Sequence, residues 1–196
     1  MVIREATESD APLLSKICLL TADAGKSAET EHDFGELPGL IFAVPYVKLP
    51  KTWGFVLEDE SAGEVVGYVL GSTDTRSFEH AREHWLGTIV GNYSNEVITK
   101  LSDKQYVGML KNMDKAPDTC VNFSPAHLHI SILEPYQRKS GGRKLMERAI
   151  EHLKGEGIDA VWMGVDPRNH DARKFYDRLG IKKLEGGAEN ELGLRF

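Results

Sequence analysis

A basic, glycine-containing turn is the part of this sequence best suited to hold a phosphorylated ligand. It reads Gln137-Arg138-Lys139-Ser140-Gly141-Gly142 and lies between a predicted strand and a predicted helix. Backbone N–H groups at a helix start, with the positive end of the helix dipole, hold anions. With Arg143, Lys144 and Arg148, the region places five cations within eleven residues. The pattern predicts a local phosphate site, with an ordinary solvated helix start as the alternative.

A second candidate group lies on the predicted last helix. Ala172, Phe175 and Tyr176 share one stripe of this helix, and Asn169 stands where an N-cap residue is expected. A phenol such as that of Tyr176 is a hydrogen-bond donor when a partner lies within reach. Packing of Tyr176 against the sheet is the alternative, and its position on the stripe fits both roles.

Two histidines lie on the strand that precedes the basic turn. His127 and His129 are two residues apart and therefore share one face of that strand. Histidine titrates near neutral pH, so either can serve as a general base acting through water. Hydrogen bonding within the core is the alternative for each, and Glu36, Asp74 and Glu134 are substitute candidates for the base.

A strand–helix–strand unit positions these groups. Residues 127–133 form an apolar-rich strand, and the apolar residues from Leu145 to Leu153 recur at helical spacing. Residues 159–165 form the second strand, and the last helix ends at Gly180. This spacing is typical of a right-handed crossover between parallel strands.

The preceding half of the chain supplies the rest of the predicted sheet. Residues 1–6 form a short strand, and a helix begins near Thr7 and fades near Gly25. Residues 28–50 are irregular because prolines interrupt them, although 40–44 is expected to pack as an extended stretch. Residues 53–57 and 64–70 form two strands joined by an acidic turn.

Residues 73–125 read as an insertion within the domain. They contain predicted helices near 77–90 and 102–112. A long connection with its own helices inside a compact domain is more often a lid or an interaction surface than a spacer.

Bulk composition limits the classes of function. The 196 residues fit one domain over 1–196, and a net charge of −6 argues against broad nucleic-acid binding. The start lacks a signal sequence and no run is long enough to span a membrane, so a cytoplasmic or nuclear protein is expected. Cys18 and Cys120 offer neither a disulfide framework nor a metal site.

Two segments resemble the GCN5-related N-acetyltransferase (GNAT) superfamily. Its signature is Gln or Arg, two residues, Gly, one residue, then Gly or Ala; this chain has Gln137, Ser140 and Gly142, so Ser140 departs from it. The stretch from Asn169 through Ala172, Phe175 and Tyr176 to Gly180 is similar to a second family block, Asn-x-x-Ala-x-x-Phe-Tyr-x-x-x-Gly.

The resemblance implies an α/β (α+β) fold with a mixed, mostly antiparallel sheet, helices on both faces and a helical insertion before the fourth strand. The fourth and fifth strands are parallel and splay into a V-shaped cleft for acetyl-CoA. Main-chain groups of Ile132 and Leu133 then contact the pantetheine arm, with Tyr176 as the general acid. The implied cofactor-binding residues are Ile132, Leu133, Gln137, Arg138, Lys139, Ser140, Gly141, Gly142, Arg143, Lys144, Asn169, Ala172, Phe175 and Tyr176.

The implied activity is transfer of an acetyl group from acetyl-CoA to a primary amine, of a small molecule or a protein, without a metal. The insertion also looks similar to that of the acetyltransferase-like domain attached to O-GlcNAcases. Two alternatives stay open: a domain that binds acetyl-CoA without catalysis, and a nucleotide-binding protein that uses the same turn. A homodimer is compatible with each of these functions, and the role of the insertion in it stays open.

Overall fold

The computed structural model describes residues 1–93 and 97–196, whose strands form one mixed sheet. The strands are β1 (Val2–Glu5), β2 (Thr52–Asp59), β3 (Glu64–Ser72), β4 (His127–Ile132), β5 (Ala160–Gly164), β6 (Lys182–Lys183) and β7 (Glu191–Arg195). Their spatial order is β1-β2-β3-β4-β5-β7-β6. Only β4 and β5 are parallel neighbours among these strands; every other adjacent pair is antiparallel. The predicted mixed sheet and its parallel crossover are confirmed.

Helices cover both faces of this sheet. They are α1 (Ala11–Leu19), α2 (Leu37–Phe42), α3 (Thr75–Ile89), α4 (Leu101–Lys111), α5 (Asp118–Phe123), α6 (Gly141–Gly155) and α7 (His170–Arg178). Alternate residues of β2 separate the two faces: Phe55 and Leu57 pack with α6 and α7, whereas Val56 packs with α1. Because both faces are covered, β2 is apolar along its middle without alternation.

The predicted helical insertion between β3 and β4 is present as α3, α4 and α5. Asp74 begins α3 by accepting a hydrogen bond from the Ser77 N–H, as helix-capping residues do. Leu86 of α3 and Leu110 of α4 pack with Leu37 and Ile41 of α2 in a hydrophobic cluster separate from those on the two faces of β2. The insertion therefore shares a core with the segment that follows α1.

Several boundaries differ from the predictions. The extended stretch expected at 40–44 is wrong, because α2 continues to Phe42. The first helix ends at Leu19 rather than near Gly25, and the Thr21 hydroxyl donates to the Ile17 carbonyl just beyond that end. β6 and β7 were not predicted. In the described ranges no helix is both long and apolar enough to cross a membrane.

Candidate active site

A gap opens between the parallel strands β4 and β5. Among the described residues, these strands share one register pair, His127 with Trp162, and the Trp162 N–H donates to the Ala126 carbonyl at 3.1 Å. Beyond that pair the two strands part, although β4 continues to Ile132 and stays paired with β3 along its whole length. We call this space the β4–β5 gap. It lies at the C-terminal ends of parallel strands, where open sheets bind ligands.

The basic turn, residues 137–142, closes one end of the β4–β5 gap. The Gln137 side-chain Nε2 donates to the Ile132 carbonyl at 2.9 Å, which fastens the turn to the end of β4. Arg138 and Ser140 have φ angles of +60° and +64°, so the backbone φ alternates between positive and negative values before α6 begins. Such alternation and a helix start both direct backbone N–H groups outward, toward an anion.

The first turn of α6 has unused hydrogen-bond donors. The amides of Gly141, Gly142 and Arg143 have no acceptor among residues 1–93 and 97–196, as is normal for the first turn of a helix. Gly142 also packs tightly: an added Cβ would lie 3.1 Å from the Phe175 ring and 3.4 Å from the Ile132 side chain. The end of β4, the start of α6 and the side chain of Phe175 from α7 therefore meet here, and the N–H groups at this junction suit a diphosphate.

The cations around the basic turn are only partly committed to ion pairs. Arg138 pairs with Asp171 of α7 at 2.7 Å, and Arg143 pairs with Glu147 at 2.8 Å. Lys144 makes no ion pair with the residues described. The Lys139 ammonium lies 5.4 Å from the centre of the Tyr136 ring. All four basic side chains are on exposed residues and can turn toward a phosphate.

The main-chain groups at the end of β4 are partly committed to other residues. Leu133 uses its N–H on the Val66 carbonyl and its own carbonyl on the Tyr136 N–H, both at 2.9 Å. The Leu133 N–H is therefore committed to β3, whereas its carbonyl oxygen can accept a second hydrogen bond, and its contact with the pantetheine arm stays a prediction. Since amides alternate in direction along a strand, the groups on the β5 side of β4 belong to Ile130 and Ile132.

Tyr176 lies on α7 next to Phe175. The residue is 6% exposed and packs in the core cluster with α6. This burial fits the packing alternative and does not exclude the role of proton donor. Its hydroxyl makes no hydrogen bond to a described residue, and the hydroxyl oxygen is not completely buried. Burial raises the pKa of Tyr176 to about 12, so the phenol keeps its proton at neutral pH.

His129 has one ring nitrogen fixed and one available. Its Nδ1 lies 2.9 Å from the Phe42 carbonyl, which can only accept, so Nδ1 carries the proton and Nε2 has the lone pair. Nε2 has no partner among the described residues and is not fully enclosed. Burial lowers the pKa of His129 below its usual range, which keeps the ring neutral.

His127 is held at both ring nitrogens. Thr75 donates its hydroxyl proton to the Pro125 carbonyl, so its oxygen accepts from His127 Nδ1 at 2.8 Å. The Tyr46 hydroxyl then donates to Nε2 at 2.9 Å. Burial lowers the pKa of His127 to about 3. With no free lone pair, His127 fits the alternative of hydrogen bonding within the core.

A segment after α1, residues 21–25, bridges β4 and the start of α7. The Thr21 and Ser131 hydroxyl oxygens lie 3.1 Å apart, and Gly25 lies against the Asn169 side chain. The Asn169 Oδ1 accepts from the Ala172 N–H at 2.9 Å, so the predicted cap of α7 is confirmed. We call residues 21–25 the cover segment. Its partners lie more than a hundred residues away, and no sequence pattern pointed to it.

The other candidate bases are either bonded to other residues or exposed on the surface. Asp74 caps α3 and pairs with Lys51 at 2.7 Å, and Glu36 accepts from the Tyr93 hydroxyl at 3.0 Å. Glu134 is exposed in the short turn after β4. No cluster of three metal-ligating side chains occurs in the described part of the chain.

Comparison with known proteins gives the class of this fold and site. Residues 28–181 match the Acetyltransferase (GNAT) family. The chain therefore belongs to the GNAT family of acetyltransferases.

Solved structures agree with this assignment. The protein SsHAT is 32% identical with a TM-score of 0.86, over 99% of this chain and 97% of that one. Two more distant structures show the fold alone. yncA from Salmonella typhimurium, with its cofactor acetyl-CoA, is 15% identical with a TM-score of 0.54, over 99% and 92% of the two chains. The paiA N-acetyltransferase from Thermoplasma acidophilum, in complex with coenzyme A, is 13% identical with a TM-score of 0.55, over 100% and 98%. The narrower likeness to the domain attached to O-GlcNAcases stays a prediction.

Proposed function

We propose that this protein transfers the acetyl group of acetyl-CoA to a primary amine by direct attack in a ternary complex. The observation that carries the proposal is the single register pair between β4 and β5, beyond which the strands part beside the first turn of α6. A pantetheine arm fits such a gap, and the free N–H groups at its end fit a diphosphate.

The residues present suit that ligand. An anion at the basic turn would be met by the amides of Gly141, Gly142 and Arg143 and by side chains that can leave exposed ion pairs at little cost. The Ile130 and Ile132 backbone on the open side of β4 offers hydrogen bonds to the amide groups of a pantetheine arm. The GNAT structures with bound acetyl-CoA or coenzyme A support the same ligand class.

The reaction needs a base, because an ammonium near pKa 10 has no lone pair for attack. His129 Nε2 is neutral and has its lone pair available, so it accepts that proton directly or through water. The amine nitrogen then attacks the thioester carbonyl, and a strand N–H stabilises the negative charge that develops on oxygen. A second proton passes from the nitrogen to solvent water as the C–S bond breaks.

The departing thiolate needs a proton, which Tyr176 supplies from its hydroxyl in this proposal. Burial keeps that phenol protonated, and its hydroxyl has no competing partner among the described residues. The products are an N-acetyl amine and free coenzyme A. Tyr176 recovers its proton from solvent or from the protonated base before the next cycle.

A binding domain without catalysis is the second candidate, and Ser140 is the observation that favours it. A serine held at φ +64° is strained and its Cβ narrows the approach to the basic turn, so cofactor affinity is reduced relative to glycine.

Two measurements separate these candidates. Calorimetric titration measures acetyl-CoA affinity, and release of free thiol measures transfer to a panel of primary amines. Enzyme-dependent thiol release that requires an amine supports transfer. Tight binding with no release on any amine supports the binding domain, and absence of acetyl-CoA binding contradicts both.

A further inference from the structure

A polar pocket of about 340 Å³ lies beside the cover segment, between the stretch after α1 and helix α4 of the insertion. Its volume is at the lower end of the range for small-molecule sites. The lining side chains include Asp23, Glu31, His32 and Tyr106, together with Arg168. We infer that this pocket binds the acceptor, and that the acceptor is a small cationic amine. The inference rests on the proposed acetyl transfer.

The charge of the pocket favours a cation. Glu31 is exposed and makes no ion pair with a described residue, so its carboxylate is available. Arg168 is the one cation among the lining residues, and it is already bound to Asp23 at 2.9 Å and Asp166 at 2.7 Å. Nearby Lys100 is occupied by Asp33 and by the Thr30 carbonyl. Carboxylates are therefore in excess around the pocket.

A buried histidine supplies an independent sign of a ligand. The His32 side chain is 2% exposed, and its Nδ1 lies 2.6 Å from the fully buried Asp103 carboxylate. Asp103 also accepts from the Asp33 N–H at 2.9 Å, so this pair is rigid. The second ring nitrogen of His32 has no hydrogen-bond partner in the described chain and is not completely buried. The residue lines the pocket. A buried polar atom of this kind normally has a partner.

Tyr106 of α4 lines the pocket next to His32. Burial raises the pKa of Tyr106 to about 12, and the nearby Glu31 carboxylate adds to that increase. The His32 ring packs edge-on against Tyr106, with centroids 5.1 Å apart. The pocket therefore presents a carboxylate, a neutral phenol and an imidazole edge to its occupant, which together suit an ammonium group.

Contacts connect this pocket to the β4–β5 gap. Ala22 and Asp23 line the pocket, whereas Thr21, one residue earlier, contacts Ser131 of β4. On another side, the Tyr106 ring lies 6.3 Å from Phe42, which in turn lies 6.2 Å from the proposed base His129. The pocket therefore adjoins both the cover segment and the aromatic rings that pack against His129.

Calorimetry on the protein saturated with coenzyme A tests the inference with two probes of equal length. We expect 1,5-diaminopentane to bind and 5-aminopentanoate to bind at least tenfold more weakly, because a carboxylate is repelled by Glu31. Glu31→Gln is expected to weaken diamine binding about tenfold. Glu29→Gln, an exposed neighbour that does not line the pocket, is the matched control and should change nothing.

Three outcomes would overturn the inference: no binding of the diamine, equal binding of both probes, or no effect of Glu31→Gln. Glu31-dependent acetylation of a lysine in a peptide without diamine binding would assign the pocket to a protein acceptor instead. Acetyl-CoA affinity is measured separately in the absence of amine. Its loss contradicts the proposed function, whereas failure of the amine arm alone contradicts only this inference.

Discussion

The His129 Nδ1 donates a hydrogen bond to the carbonyl oxygen of Phe42 at 2.9 Å. Phe42 is the last residue of α2, so the short helix that follows α1 fixes the tautomer of a strand histidine. The lone pair on Nε2 is consequently available, and the lowered pKa keeps it so near neutral pH. This relationship distinguishes His129 from His127, which shares its face of β4.

Replacing His129 by glutamine should lower kcat for amine acetylation about 10²-fold or more, because general-base catalysis contributes on that scale. Acetyl-CoA affinity should stay within about twofold. His80→Gln, on the exposed face of α3, is the control. In the wild type, kcat should decrease on the acid side only below pH 6.5, because the pKa of His129 is lowered. Unchanged kcat in His129→Gln would remove this residue as the base.

Replacing Tyr176 by phenylalanine should slow turnover about 10²-fold while acetyl-CoA binding is nearly unchanged, because only the proton donor is lost. A pKa near 12 also predicts no loss of wild-type activity from this group up to pH 10. Tyr93→Phe, whose hydroxyl bonds Glu36 away from the gap, is the control. Equal rates for Tyr176→Phe and wild type at every pH would contradict the assignment.

The buried His127 should make the free energy of unfolding depend on pH. Its folded-state pKa of about 3 lies below the value near 6.5 in the unfolded chain. The unfolded state therefore takes up a proton first, so stability is present above pH 6.5 and is lost as pH falls toward 3. The loss from this residue is up to about 1.4 kcal/mol per pH unit.

Urea unfolding at pH 7 and pH 5 measures this dependence in the wild type and in His127→Gln. The variant should be less stable at pH 7, because Tyr46 and Thr75 lose their buried partner. Its stability should fall less between the two pH values than that of the wild type. Equal pH dependence in both proteins would show that His127 is not neutral in the folded state.

Ser140→Gly should relieve strain in the basic turn. A non-glycine residue at φ +64° costs about 1 kcal/mol, whereas glycine adopts this conformation freely. We expect tighter binding of acetyl-CoA by a few-fold in calorimetry. Ser140→Ala removes the hydroxyl but retains the Cβ and the strain, so it should not show this gain. Weaker binding in the glycine variant would argue that the serine itself contacts the ligand.

Gly142→Glu should weaken acetyl-CoA binding at least tenfold. Its Cβ would lie 3.1 Å from the Phe175 ring, and its carboxylate would repel a diphosphate. Gly87→Glu adds the same charge where a Cβ meets nothing within 4 Å, so it controls for net charge and helix placement. Unchanged affinity in Gly142→Glu, with circular dichroism of a folded protein, would place the phosphate site elsewhere.

The strand–helix–strand unit was predictable because its apolar spacing is regular and its turns carry glycine. The helix α2 was not, since Pro38 and Gly39 were read as helix breakers. Proline is tolerated in the first turn of a helix, and Gly39 lies so close to Ser15 that a Cβ would overlap it. Close packing against α1 explains the glycine better than flexibility does.

The site was predictable only in part. Alternation placed His127 and His129 on one face, yet their different roles depend on Tyr46, Thr75 and Phe42, which are 52 to 87 residues away. The same limit applies to Leu133, whose backbone partners on β3 and in the next turn decide its availability. Sequence spacing gives the residue type at a position, whereas long-range partners decide what that residue can do.

The single β4–β5 register pair also divides the sheet mechanically into a four-stranded part, β1 to β4, and a three-stranded part, β5, β7 and β6. Backbone pairing between the two parts is concentrated at His127 and Trp162. A molecule bound between the two parts therefore adds contacts that hold them together. Amide exchange at Ile130 and its neighbours should therefore slow as coenzyme A is added, and the melting temperature should rise with ligand concentration.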